Sequence, residues 1–182
     1  MRPRTPALLA AALLLAAKLD AAPLPGLSRL GPATAVAGSA GRSEALKGGN
    51  GYEMGWELRF APRRFRLFPR WLPAATPDAG FLASSRGIHY AYAGFRFEIP
   101  LGRRWMISPG TAAGLYDFGR GRGKRLGSPL QFRTGLELAY RLRTGDRIGL
   151  CLYHLSNAGL AHGNPGTESL VLTWTAALRP PR

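Results

Sequence analysis

The sequence predicts an all-β protein, an eight-stranded antiparallel transmembrane β-barrel of the outer membrane. Three observations lead there. Apolar and polar residues alternate over segments of about ten residues, the pattern of strands with one face in lipid. The clearest segments are joined alternately by tight and by long connections, as in barrels with short periplasmic turns and longer external loops. The first residues have the make-up of an export signal, and 24 Gly and 15 Pro in 182 residues are too many for a helical bundle.

The elements follow in chain order. Arg2 and Arg4 precede an uncharged apolar run, Ala7 to Ala17, and Ala21 or Ala22 offers a small-residue cleavage site. This run is too short to span a bilayer as a helix, so residues 1–22 are expected to be a signal peptide. Residues 23–50, rich in Ala, Gly, Ser and Pro and without amphipathic period, read as a flexible N-terminal segment or short plug. Residues 51–182 are the expected barrel.

Within it, Tyr52, Met54, Trp56, Leu58 and Phe60 share one face of a first strand, and Arg64 to Trp71 alternates again. Gly80 to Ser84 is a short strand, and Ile88 to Ile99 a longer one rich in Tyr and Phe. Arg103 to Tyr116 is next, with Pro109 in its interior suggesting a bulge. Gln131 to Leu142, Arg147 to Ser156 and Glu168 to Leu178 complete the set. Their apolar stripes run through Leu136 and Leu138, through Ile148, Leu150 and Leu152, and through Leu170, Leu172 and Trp174. An even strand count lets the sheet close with both termini periplasmic, which removes the edges that a bilayer cannot tolerate.

The formal charge of +15 admits nucleic acid, an anionic membrane surface or an anionic substrate as partner. An exported chain rarely meets nucleic acid, so none is expected. Lipopolysaccharide phosphates are the natural counterpart for an exported membrane protein. The run Gly119 to Arg125 in a long external loop either engages such phosphates or is merely solvated. Cys151 is the only cysteine and sits within a strand pattern, where small-residue packing is its expected role. No spacing of metal ligands is present, and no cofactor is expected.

The chemistry concentrates in Tyr153-His154-Leu155-Ser156-Asn157-Ala158-Gly159 and in Asn164-Pro165-Gly166-Thr167-Glu168. His154 and Ser156, two apart on a strand, point the same way with Cα atoms about 6.5 to 7 Å apart. A serine hydroxyl needs an adjacent base, and histidine is the usual one. Glu168 opens the next strand, roughly 4.8 Å away across a hairpin, where a carboxylate would orient the imidazole. All three residues continue the lipid-facing stripes. The bland reading puts them in the headgroup zone without function. The catalytic one makes a nucleophile outside the barrel wall, able to reach a membrane lipid. At the outer leaflet that lipid is lipid A.

These residues, together with Gly114-Leu115-Tyr116, Leu126-Gly127-Ser128-Pro129, Phe132-Arg133 and Glu137-Leu138-Ala139-Tyr140, resemble the lipid A 3-O-deacylases of the PagL type. The resemblance is close in the C-terminal half and loose in the N-terminal half. It implies an outer-membrane barrel that hydrolyses the acyl ester at the 3-position of lipid A without a metal. Ser156 would be the nucleophile, His154 the base and acid, and Glu168 the orienter. The Asn164 side chain and the Gly159 backbone N–H would form the oxyanion hole. A homodimer is also implied. Two other readings remain at this point: a non-catalytic outer-membrane barrel with a structural or binding role, and a secreted basic β-protein that binds polyanions.

Overall fold

Neighbours in sequence are neighbours in the sheet, and the two ends of the sheet meet. The computed structural model describes residues 31–118 and 123–178, so the expected signal peptide and part of the basic run lie outside the described residues. The strands are β1 (Ala33–Ser43), β2 (Gly51–Phe60), β3 (Ala75–Ser84), β4 (His89–Phe97), β5 (Ile99–Leu101), β6 (Trp105–Asp117), β7 (Leu130–Arg141), β8 (Arg147–Ser156) and β9 (Thr167–Ala177). Every pairing is antiparallel, and β1 closes on β9 from Ala35↔Ala177 to Ser43↔Ser169. β4 and β5 form one stave. Arg96 opposes Gly110 and Ile99 opposes Ile107, so the register on β6 is unshifted across the gap. The result is a closed eight-stranded antiparallel barrel.

Pro109 produces no bulge. It lies in unbroken register opposite Leu136 on β7. On its other side it has no N–H to give to the ladder, and the pairing with β4 and β5 lapses opposite it, at Phe97 and Glu98.

Two strand assignments change. Arg64 to Trp71 is a loop, not a strand. Between β2 and β3 the chain makes only an isolated bridge, Arg63↔Ala75, followed by turns. Pro62, Pro69 and Pro73 cannot donate to a ladder. Phe68 instead packs on the outer wall against Phe95 and Phe97, at centroid distances of 5.1 and 5.2 Å. The missing stave is β1, inside the segment expected to be flexible. It has no hydrophobic period because its lumen face must be small. Ala35 and Ala37 are buried there, and a Cβ on Gly41 would meet the Leu170 carbonyl oxygen at 2.1 Å. Both changes lie upstream of β3, so strand number and the direction of every later strand are as expected.

Inside and outside are inverted relative to a soluble protein. Leu136, Leu138, Ile148, Leu150, Leu152, Leu170, Leu172 and Trp174 are exposed on the outer wall. The lumen holds charge. Glu137 accepts hydrogen bonds from Arg59 at 2.9 Å, Arg96 at 2.8 Å and Thr173 at 2.6 Å. Glu57 pairs with Arg59, Arg96 and Arg133, and Asp78 with Arg96. Glu53 accepts from the Tyr153 hydroxyl and from Ser169. The Arg133 guanidinium lies 4.2 Å from the Tyr153 ring centre and 4.8 Å from that of Tyr92. Buried ions need such partners, since an uncompensated one costs several kcal/mol. An apolar belt around a lumen of paired charges is the transmembrane barrel arrangement. Cys151 is buried and free on the lumen side of β8.

The barrel has two unlike ends. At the proximal end β1 begins and β9 finishes, and the links are residues 61–74, 102–104 and 142–146. At the distal end they are residues 44–50, 85–88, 118–129 and 157–166.

Candidate active site

β8 alternates cleanly. Cys151, Tyr153 and Leu155 are buried, whereas Leu150, Leu152 and His154 are exposed. His154 therefore stands on the outer wall, at the distal end of the apolar stripe. Its cross-strand partner is Glu168, the outward residue that precedes Leu170 and Leu172. The pairing places the two side chains on one face, with His154 Nδ1 3.1 Å from Glu168 Oε1. The imidazole is 46% exposed and the carboxylate 18%. The second carboxylate oxygen, Oε2, is buried without a hydrogen-bond partner. Its negative charge is thus left for the imidazole to balance.

Ser156 ends β8 on the same face, opposite Phe132 of β7. Its hydroxyl does not hydrogen-bond to His154 in this structure. Because Nδ1 faces Glu168, Nε2 is the nitrogen left for the serine. Hydrogen bonds of this kind commonly tighten only in the substrate complex.

The loop after Ser156 turns on Asn157, which is fully buried. Its Nδ2 donates to the carbonyls of Leu126 and Gly163, each at 2.9 Å. Its Oδ1 accepts from the Gly159 N–H at 2.9 Å, and its own N–H donates to Asn164 Oδ1 at 3.1 Å. One side chain so ties the 118–129 link to the 157–166 link. Ala158 and Gly159 both take positive φ, 54° and 77°, which makes the turn tight enough for these bonds.

The two expected oxyanion donors are placed differently. Asn164 has its carboxamide oxygen engaged, which leaves its NH₂ as a donor. The Gly159 N–H is already held by Asn157 Oδ1.

Gly166 has a role that spacing did not show. At φ 54° it runs so close to the imidazole that a Cβ would lie 2.5 Å from Cε1 and 3.0 Å from Nε2 of His154. Its carbonyl accepts from Lys124 Nζ at 2.5 Å, so the basic loop braces the strand that carries Glu168. The Pro165-Gly166 pair was the available signal, since such pairs mark turns needing unusual φ. Among the described residues no group of three His, Cys, Asp or Glu side chains could hold a metal ion.

The family model described as lipid A 3-O-deacylase (PagL) matches residues 50–176, from the start of β2 almost to the end of β9. The chain belongs to this family. The lipid A deacylase PagL of Bordetella bronchiseptica is 38% identical over 74 residues. That stretch is 41% of this chain and 42% of the relative, so it spans less than half of the relative's length. The crystal structure of the outer membrane enzyme PagL superposes with a TM-score of 0.62 at 23% identity, covering 78% of this chain and 97% of that one. A de novo designed transmembrane β-barrel superposes at 0.52 with 9% identity, covering 81% of this chain and 97% of the design. Both superpositions speak to the fold.

Proposed function

We propose that this protein is a lipid A 3-O-deacylase of the outer membrane, a serine-type ester hydrolase acting at the outer leaflet. The observation that carries the reading is the His154–Glu168 pair at 3.1 Å. It stands beside Ser156 on the lipid side of the barrel, in a chain of the lipid A 3-O-deacylase family.

Ser156 Oγ attacks the carbonyl carbon of the 3-linked acyl ester while His154 Nε2 takes the hydroxyl proton. Glu168 keeps the other ring proton on Nδ1 and stabilises the imidazolium. The Asn164 NH₂ donates to the oxyanion as charge develops there. The Gly159 N–H, as a second donor, requires the turn to release Asn157 Oδ1. The tetrahedral intermediate collapses, the sugar 3-oxygen leaves with the proton from His154, and Ser156 holds the acyl group. A water deprotonated by His154 then cleaves this ester, releasing the fatty acid and restoring the serine. Every residue named comes from one chain, so the implied homodimer is not required for the chemistry.

The substrate class follows from position. The triad is not in a cleft of a soluble core but where the apolar wall meets the polar loops, the depth of acyl esters in a lipid headgroup. The test is mass analysis of lipid A from cells producing wild type or Ser156→Ala. Wild type should remove one 3-linked hydroxyacyl chain, and Ser156→Ala should leave it in place. Identical loss in both would remove Ser156 from the mechanism. Lipid A unaltered by wild type, in hosts offering several acylation patterns, would favour a non-catalytic barrel.

A further inference from the structure

The barrel end farthest from the triad carries a second feature, independent of the deacylase reading. The lumen arginines are matched by carboxylates, and the described residues carry many further arginines on the rims and loops. A large share is at the proximal end. The turn joining β5 to β6 contributes Arg103 and Arg104, the last residue of β7 is Arg141, and the turn from β7 to β8 contributes Arg143. These four line one open cleft together with Trp105 and Tyr140. The two turns are tied by the Arg141 N–H donating to the Arg104 carbonyl at 2.8 Å. Arg104 also donates to the Tyr140 hydroxyl at 2.8 Å, and the Tyr140 ring packs edge-on against Trp105 at 5.1 Å. Arg103, Arg141 and Arg143 make no ion pair among the described residues. Asp146, half-buried, is the carboxylate of the β7–β8 turn, and Glu98 is taken by Arg147.

The 61–74 loop extends this surface along the barrel wall. Phe68 anchors it on Phe95 and Phe97, which flank the inward-facing Arg96 and so point outward. Arg64 donates to the carbonyls of Arg70 and Leu72 at 3.1 and 3.2 Å, which fixes the loop's shape. That shape holds Leu67 93% and Trp71 81% exposed, next to exposed Arg66 and Arg70 respectively. Apolar tips that water would penalise, set among unpaired guanidiniums, fit one environment: the boundary between acyl chains and phosphates. Aromatic side chains favour that depth, and basic pockets beside transmembrane segments hold anionic lipid headgroups.

We propose that the proximal rim is a binding site for anionic glycerophospholipid in the leaflet facing that end. Its phosphate is held by Arg103, Arg104, Arg141 and Arg143, and its acyl chains run down the wall past Trp105 and Tyr140. The 61–74 loop inserts Leu67 and Trp71 beside it as an interfacial anchor. Arginine suits this role because its planar fork gives paired hydrogen bonds to phosphate oxygens.

The test uses the full chain folded in a non-ionic detergent and offered equal phosphatidylglycerol and phosphatidylcholine, with retained lipid counted by native mass spectrometry. Wild type should retain phosphatidylglycerol in at least about tenfold preference. The combined variant Arg103→Gln, Arg104→Gln, Arg141→Gln, Arg143→Gln should bring the ratio below about twofold. A wild-type ratio near one overturns the proposal, as does a folded quadruple variant that keeps the preference. If the quadruple variant does not fold, the pair Arg103→Gln and Arg143→Gln decides. The side chains of these two arginines form no hydrogen bond or ion pair among the described residues, and an unchanged ratio on removing them also overturns it.

Discussion

Glu137 and Glu168 are the same side chain on opposite faces of one wall, and their surroundings differ in a way that separates structure from chemistry. Glu137 faces the lumen with three donors, Arg59, Arg96 and Thr173, on its two oxygens. Glu168 faces outward with one partner, His154, and one oxygen that is buried and bonded to nothing. A saturated polar group has reached its final state and holds strands together. An incompletely satisfied one stores the capacity to respond when a neighbour gains a proton. The lumen network therefore holds the strands together, and the proposed reaction belongs to the outer pair.

The sharpest way to break that division is to remove His154. In His154→Ala the hydrolysis rate should fall by about 10⁴-fold or more, the scale of losing the base of a serine triad. The barrel should still form, because the imidazole is half exposed on the outer wall and bonds only to Glu168. Fatty-acid release per folded molecule measures the first effect, and heat-modifiable mobility in detergent the second. A variant that fails to fold would place His154 in the structural class.

Glu137→Ala makes the opposite cut. It leaves Arg59 and Arg96 short of a counter-charge in the lumen, and the cost should be on the order of 3–5 kcal/mol of unfolding free energy. Molecules that do fold should keep most of their hydrolytic rate. Urea unfolding in detergent, with the rate normalised to the folded fraction, separates the two. Loss of rate without loss of stability would mean that the lumen network reaches into the site.

Asn164 sits between the classes, since one end of its carboxamide is structural and the other is assigned to the oxyanion. Asn164→Ala should lower the turnover number about 10²- to 10³-fold with little change in substrate affinity, as expected of a donor used only in the transition state. A change in affinity alone would leave Asn164 as a loop brace.

What could be read from the chain follows the same division. His154, Ser156 and Glu168 were legible because they lie in phase with Leu150, Leu152, Leu170 and Leu172, and strand geometry turns phase into a shared face. The lumen network was not, because Glu57, Arg96 and Glu137 come from different staves and meet only once the barrel has closed. β1 was hidden for a related reason. Its small lumen residues make room for that network, so it shows no stripe of its own. The 61–74 segment misled because Phe65, Leu67 and Trp71 fall in the phase of a strand among arginines, although its prolines forbid the ladder and Phe68 packs its ring on the outer wall. The hub role of Asn157 depends on Leu126, a residue 31 positions away, so no local pattern announces it.

Gly166 gives the smallest and most local test. No hydrogen bond joins it to His154, yet its missing side chain leaves the space in which the ring stands, with a hypothetical Cβ 2.5 Å from Cε1. In Gly166→Ala the ring must move or the backbone must leave φ 54°, and either shifts Nε2 relative to Ser156. A displacement of about 1 Å at a reacting group can cost on the order of 10²-fold. Because the ring is half exposed and can yield outward, a loss nearer tenfold is expected here, together with weaker contact between Nδ1 and Glu168. The Lys124 bond to the Gly166 carbonyl uses the backbone and should persist. If the rate is unchanged while the imidazole resonances shift, the ring has slack that the triad geometry does not need. A fall in rate accompanied by that shift would place Gly166 as the wall against which the base is held.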